Sequence, residues 1–188
     1  MYQERIDRVL AAMEQMGLEQ MIVSGPDSIW YLTGYYVFPF ERLFALYLRR
    51  DGKHKLFLNK LFPVPEVPYE QVWFSDTDDY LTILAENVDG TKPMGIDKEW
   101  PARFLLPLMA HNPGSRCVLA SACVDDARAC KDETERELMR AASRINDTVM
   151  ERAAAFMREG MMEREVADFI IAQYAAEGCD AMAFQPIV

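Results

Sequence analysis

Leu43-Phe44-Ala45-Leu46-Tyr47-Leu48-Arg49 and Lys53-His54-Lys55-Leu56-Phe57-Leu58 are two apolar-rich runs joined through Arg50-Asp51-Gly52. Asp-Gly between two such runs is a strong hairpin signal, because both residues tolerate the positive φ that a tight primed turn demands. Strands are therefore predicted over 43–49 and 53–58, antiparallel to one another. That single feature decides the character of the sheet: whatever the crossovers around it do, the sheet is mixed.

Outward from the hairpin, short strands alternate with helices. On the N-terminal side a helix is predicted from Tyr2 to Met16, because Ile6, Val9, Leu10, Met13 and Met16 recur at helical spacing. Gly17 stands where a left-handed C-terminal cap belongs. Met21-Ile22-Val23 is a short strand and Ser24-Gly25-Pro26-Asp27 a turn. A helical turn over 27–32 then leads to Thr33-Gly34. On the C-terminal side, Pro63, Pro65 and Pro68 mark an extended connection, and Val72-Trp73-Phe74 is a strand. A helix is expected over 77–87 with Asp76 or Thr77 as its cap. A strand at Met94-Gly95-Ile96, a helix over 101–110 with Pro101 in its first turn, and a strand at Cys117-Val118-Leu119 complete the region. Asp125-Asp126 and Asp78-Asp79 read as loop or capping residues. The class is α/β, a mixed sheet flanked by helices, over residues 1–125.

After Cys130 the pattern changes. Asp132 and Glu135 have capping-box spacing, and a long helix follows to about Arg158. Its apolar stripe is Leu138, Ala142, Ile145, Val149, Ala153 and Phe156. A second helix spans about 163–177 with Val166, Ile170 and Tyr174 inward. Ala181 to Val188 reads as the opening of a buried strand. Such a strand without a neighbour leaves backbone donors and acceptors unpaired. Residues 126–188 are therefore expected to be the hinge and first elements of a second domain, incomplete as it stands.

Composition narrows the function. Hydrophobic residues make up 51% of the chain, enough for a sizeable core. Thirty Asp and Glu against twenty Lys and Arg, spread along the chain, argue against nucleic acid or an anionic membrane as partner. No secretory leader pattern and no apolar run of about 18 residues is present. Cys117, Cys123, Cys130 and Cys179 form no CxxC pair, and His54 and His111 are isolated. Zinc ligation is thus not expected, and the cysteines read as reduced thiols of a cytoplasmic protein. The carboxylates Asp132, Glu133, Glu135 and Glu137 complement a helix N-terminus and need no metal. Met13 and Met16 read as core filling.

The order of several segments resembles the prolidase, aminopeptidase P and creatinase family of pita-bread metallopeptidases, over its N-terminal creatinase-type domain and the start of its catalytic domain. The likeness lies in Met16-Gly17-Leu18-Glu19 before Ile22-Val23, and in Ile29-Trp30-Tyr31-Leu32-Thr33-Gly34-Tyr35. It continues through Arg42 entering a strand, the Asp51-Gly52 hairpin, and Cys130-Lys131-Asp132-Glu133-Thr134-Glu135 at the hinge. It ends with Gly160 to Val166 and Phe184-Gln185-Pro186-Ile187-Val188. One departure is Met162, where the family usually has a helix-capping Thr, a loss of about 1 kcal/mol.

The resemblance implies a parent that hydrolyses the bond before proline with two divalent metal ions, such as Mn, Co or Zn. Their ligands, two aspartates, one histidine and two glutamates, lie downstream of the segment matched by Phe184 to Val188. No catalytic or metal-binding residue is therefore expected in this chain, which alone is expected to be inactive. Its implied roles are dimerisation and substrate gating, with proline-containing peptides as partners of the parent and a homodimer or self-association as its assembly. A creatinase-like, metal-independent C–N hydrolase and a non-catalytic peptide-binding module are the alternatives. Aromatic residues crowd the stretch from Trp30 to Phe44, namely Trp30, Tyr31, Tyr35, Tyr36, Phe38, Phe40 and Phe44. Related dimers bring their N-terminal domains to the partner's active site. Tyr35, Tyr36 and Arg42 are accordingly the candidate substrate-gating residues, with Arg42 able to pair with a substrate carboxylate.

Overall fold

The computed structural model describes residues 2–65 and 69–188; Pro68 lies outside them. Two compact units divide the chain, Met1–Cys130 and Lys131–Val188.

In the first unit, β1 (Gln20–Val23) sits inside a six-stranded sheet of order β4-β3-β2-β1-β5-β6. The hairpin forms: β2 (Ala45–Arg49) and β3 (Lys55–Asn59) are antiparallel, with Ala45 opposite Phe57 and Tyr47 opposite Lys55. Gly52 takes φ 78° in the connection, which a β-carbon would disfavour. β2 also runs antiparallel to β1, while β4 (Glu70–Phe74) is parallel to β3. On the other side β1, β5 (Met94–Ile96) and β6 (Cys117–Leu119) are mutually parallel neighbours.

Both faces of this sheet are covered, which explains why its strands read as unbroken apolar runs. Leu46, Leu48, Leu56 and Leu58 join Met21 and Val23 in a core under α1 (Gln3–Gln15), α2 (Pro26–Thr33) and α5 (Ala122–Ala129). Ala45, Tyr47 and Phe57 alternate to the opposite core, with Ile22, under α3 (Tyr80–Glu86) and α4 (Ala102–His111). From α1, Ile6, Val9 and Met13 are fully buried, whereas Met16 is exposed at the helix end. Gly17 closes that end at φ 69°, and Leu18 N–H donates to Met13 O at 2.9 Å.

Besides Met16, read as core filling, three further expectations change in this unit. Helix α3 begins at Tyr80, and its cap is Asp79, which accepts from Thr82 N–H at 3.2 Å. Asp76 is already held by Arg42 and Asn59, and Asp78 accepts from Ser75 N–H at 2.7 Å in a preceding turn. Pro101 is the N-cap of α4 and stands just outside its first turn. The third change is α5, which occupies a stretch read as the domain's end. Asp125 and Asp126 lie on this helix, where Asp125 accepts from Lys98 Nζ at 2.6 Å. The inward side chains are Cys123, Val124 and Ala127, too small and too few to declare a helical period.

In the second unit, α6 (Glu133–Phe156) starts with a complete capping box. Glu135 N–H donates to Asp132 Oδ1 at 2.8 Å, and Asp132 N–H donates to Glu135 Oε2 at 3.0 Å. α7 (Glu163–Ala176) packs on it through Val149, Ala153, Val166 and Ile170. The rings of Phe156 and Phe169 stack with centroids 4.0 Å apart. Leu138 and Ala142, placed on the inward stripe by spacing, are exposed. Residues 181–188 form no strand, and Phe184 and Ile187 are 73% and 90% exposed. A strand exists only by pairing, and among the described residues this unit holds no sheet to receive one.

Candidate functional site

The candidate gating residues lie on a loop fixed at both ends. At its start, Gly34 adopts φ 82° and ends α2. Thr33 Oγ1 donates to Ile29 O at 2.7 Å and accepts from Tyr35 N–H at 3.1 Å. Between the ends, Val37 turns into the core while the rings around it face solvent. Trp30, Tyr36, Phe38 and Phe40 are 54%, 53%, 59% and 73% exposed. They associate edge to face, Trp30 with Tyr36 at 5.9 Å and Phe38 with Phe40 at 4.9 Å between centroids. The four exposed aromatics thus stand as two edge-to-face pairs along residues 30–40. Tyr35 is half-buried.

Arg42 lies at the loop's other end. Its Nε donates to Asp76 Oδ1 at 3.0 Å and its Nη2 donates to Asp76 Oδ2 at 2.8 Å, a fork meeting a carboxylate edge. Nη1 faces Glu41 Oε1 at 3.0 Å. Asn59 Nδ2 donates to Asp76 Oδ1 at 2.7 Å, and Asn59 Oδ1 accepts from Leu61 N–H at 3.0 Å. The hydrogen bond from Arg42 holds the Asp76 carboxyl below the usual range, and the same bond raises the guanidinium. Arg42 is thus charged and already neutralised by two carboxylates. Any further carboxylate at this position has to compete with Asp76. Neither Asp76 nor Asn59 carries any local signal of this role, since they lie 34 and 17 residues from the groups they bind.

Two roomier cavities are found among the described residues, each within one unit. A cleft of about 830 Å³ opens beside the hairpin, lined by Arg49, Lys53, His54, Lys55, Glu70 and Glu86 among others. His54 is buried there, its Nδ1 accepts from Arg49 N–H at 3.2 Å, and burial pushes its pKa down. An apolar cavity of about 470 Å³ in the second unit is lined by Ile145, Met150, Ile170 and Phe184. Among the described residues no group of three or more His, Cys, Asp or Glu is placed to hold a metal ion. At the head of α6, Asp132 and Glu135 are occupied by capping and Glu133 pairs with Arg136 and Arg140. These residues do not fit a two-metal centre. No described helix is long and apolar enough to cross a membrane.

The chain belongs to the creatinase/prolidase family: residues 5–130 match the creatinase/prolidase N-terminal domain, and residues 137–188 match metallopeptidase family M24. The chain is similar to a prolidase from Thermococcus sibiricus, with 28% identity and a TM-score of 0.88 over 100% of this chain and 53% of that one. Dipeptidase PepE from Mycobacterium ulcerans aligns at 29% identity and TM-score 0.84 over 97% of this chain and 51% of its own. An uncharacterized peptidase of Staphylococcus aureus (strain MSSA476) is 27% identical over 191 residues, 98% of this chain and 53% of the relative. The chain therefore spans about half the length of the relatives it matches.

Proposed function

We propose that this chain is the N-terminal part of a peptidase that hydrolyses the bond preceding proline, and that its first unit selects substrate while the chemistry resides elsewhere in the protein. The observation that carries this reading is the ordered pair of matches, creatinase/prolidase N-terminal domain then metallopeptidase family M24. The similarity to a prolidase over 100% of this chain supports the substrate class. Two divalent metals would supply a nucleophilic water at neutral pH and polarise the scissile carbonyl. Among the described residues no three His, Cys, Asp or Glu are grouped to hold a metal, and the reading assigns the ligands to residues of the protein outside this chain. The aromatic loop 35–42 is proposed as the gate, and a homodimer as the assembly in which it works.

The test is an assay of the protein encoded by the full reading frame. Xaa-Pro dipeptides, Xaa-Pro-containing longer peptides, dipeptides without proline, and creatine are offered with manganese and after chelation. Cleavage confined to Xaa-Pro bonds and lost on chelation is the expected result. Creatine turnover indifferent to chelation would replace the reading with the metal-independent one. Peptide binding without turnover would replace it with a binding module. Sedimentation of the same sample reads the dimer directly.

A further inference from the structure

Phe40 is the one described residue other than glycine with positive φ, at 52°. It occupies the second position of a turn, because Arg42 N–H donates to Pro39 O at 2.9 Å. Positive φ at that position belongs to glycine, asparagine and aspartate, and a bulky aromatic there is strained. Strain of this kind persists only where the surroundings over-determine it. What holds the turn is visible in the same residue. The backbone of Arg42 closes the turn, and the side chain of Arg42 is forked onto Asp76 just beyond the end of β4. Asp76 is aimed in turn by Asn59, a 98%-enclosed amide (2% exposed) at the end of β3.

We propose that Arg42, Asp76 and Asn59 form a clamp that keeps the strained Pro39–Arg42 turn closed and the Phe38 and Phe40 rings projected, so that Arg42 governs peptide selection by positioning the aromatic loop and not by binding a substrate carboxylate. The clamp stands on geometry alone; its effect on selection rests on the peptidase reading above. The donors of the Arg42 fork are spent on Asp76, and its side chain is only 27% exposed, so the group available to a peptide is the aromatic face. Apolar and prolyl side chains are the chemistry that such rings recognise, through their faces and edges.

Two measurements test the clamp. Amide hydrogen exchange over residues 36–41 of this chain reads it without any activity. Exchange rises in R42A and in D76A, and returns toward the parent rate in the charge-reversed pair R42D/D76R. Far-UV circular dichroism confirms that each variant folds. Unchanged exchange in both single variants would overturn the clamp. Kinetics of the proposed peptidase read its consequence. R42A and D76A each raise KM for Xaa-Pro peptides severalfold with kcat nearly unchanged, the double variant is no worse than either single one, and the reversed pair recovers. If Arg42 instead binds substrate directly, D76A frees the guanidinium and lowers KM, and the reversed pair stays defective. That result overturns the positioning role. Absence of Xaa-Pro activity in the parent protein refutes the peptidase reading and leaves the exchange result standing.

Discussion

Gln20 is a polar side chain 2% exposed at the first position of β1, and replacing it by Leu should be costly despite the similar size. Its Nε2 donates to Asp89 O at 2.7 Å and to Lys92 O at 3.0 Å. Its Oε1 accepts from Asp89 N–H at 3.2 Å and from the Tyr47 hydroxyl. Both donors and both lone pairs of the amide are therefore used. Each bond contributes about 1 kcal/mol net. Q20L removes all four, but Asp89 is half-buried and Lys92 exposed, so their carbonyls regain some water, Lys92 O keeps its bond from Ser115 Oγ at 2.7 Å, and Asp89 N–H keeps a contact to the Tyr47 hydroxyl at 3.2 Å. The expected loss is about 2–3 kcal/mol, a fall in Tm of roughly 10 °C for a domain of this size. The three tryptophans, Trp30, Trp73 and Trp100, all lie within Met1–Cys130, so their fluorescence in urea reports on this unit alone. The midpoint should drop with the slope unchanged. Y47F should cost about 1 kcal/mol by itself, and Q20L/Y47F less than the sum, because both single changes delete one shared bond. A loss below about 0.5 kcal/mol for Q20L, the range of inert surface changes, would refute the view that this amide ties the loop to the sheet.

Gly95 in β5 has no room for a larger side chain: a Cβ there meets Ala120 Cβ at 3.0 Å and Leu18 Cδ1 and Met21 Cβ at 3.1 Å. G95V should destabilise the first unit by about 1–3 kcal/mol through overpacking, measured by the same urea titration. Met162 has extended backbone at the N-cap of α7 but contributes no side-chain cap hydrogen bond, although Glu165 Oε2 accepts from its N–H at 2.9 Å. M162T supplies the missing half of the box and should stabilise the second unit by about 1 kcal/mol, read from helix ellipticity on heating. His54 gives a pH dependence. Burial lowers its folded pKa, outweighing the pull of Asp51 and Asp7. The unfolded chain therefore takes up the proton first, at a pKa of about 6.5. Stability is complete above that pH and declines as pH falls from there toward the lower folded value. H54Q should remove the decline, and a parent protein equally stable at pH 7 and pH 5.5 in urea titrations would refute it.

What the amino-acid sequence discloses here follows the range of the interactions involved. The β2–β3 hairpin was legible because Asp51-Gly52 and its flanking runs contain their own instructions within a few residues. The head of α6 was legible for the same reason, since Asp132 and Glu135 cap one another across a single turn. Helix α5 was not, because three small inward side chains carry almost no periodic signal and the helix is stabilised by the sheet it covers. Residues 181–188 failed in the opposite sense: an apolar run states a preference for burial, but only a neighbouring strand makes it a strand. The candidate site divides along the same line. Its aromatic residues could be found as a local cluster, and Arg42 by its place just before the strand predicted over 43–49, which begins at Ala45. That Arg42 faces Asp76, and that Phe40 is held at positive φ as a consequence of closing that turn, depends on bringing the ends of β3 and β4 beside the loop. The chemistry of the guanidinium invited a ligand role; the fold supplies it with a protein carboxylate first. A charged residue therefore has to be assigned by what already occupies its donors, and on that criterion the Arg42 fork belongs to Asp76 while the aromatic rings of this loop are what stands open to solvent.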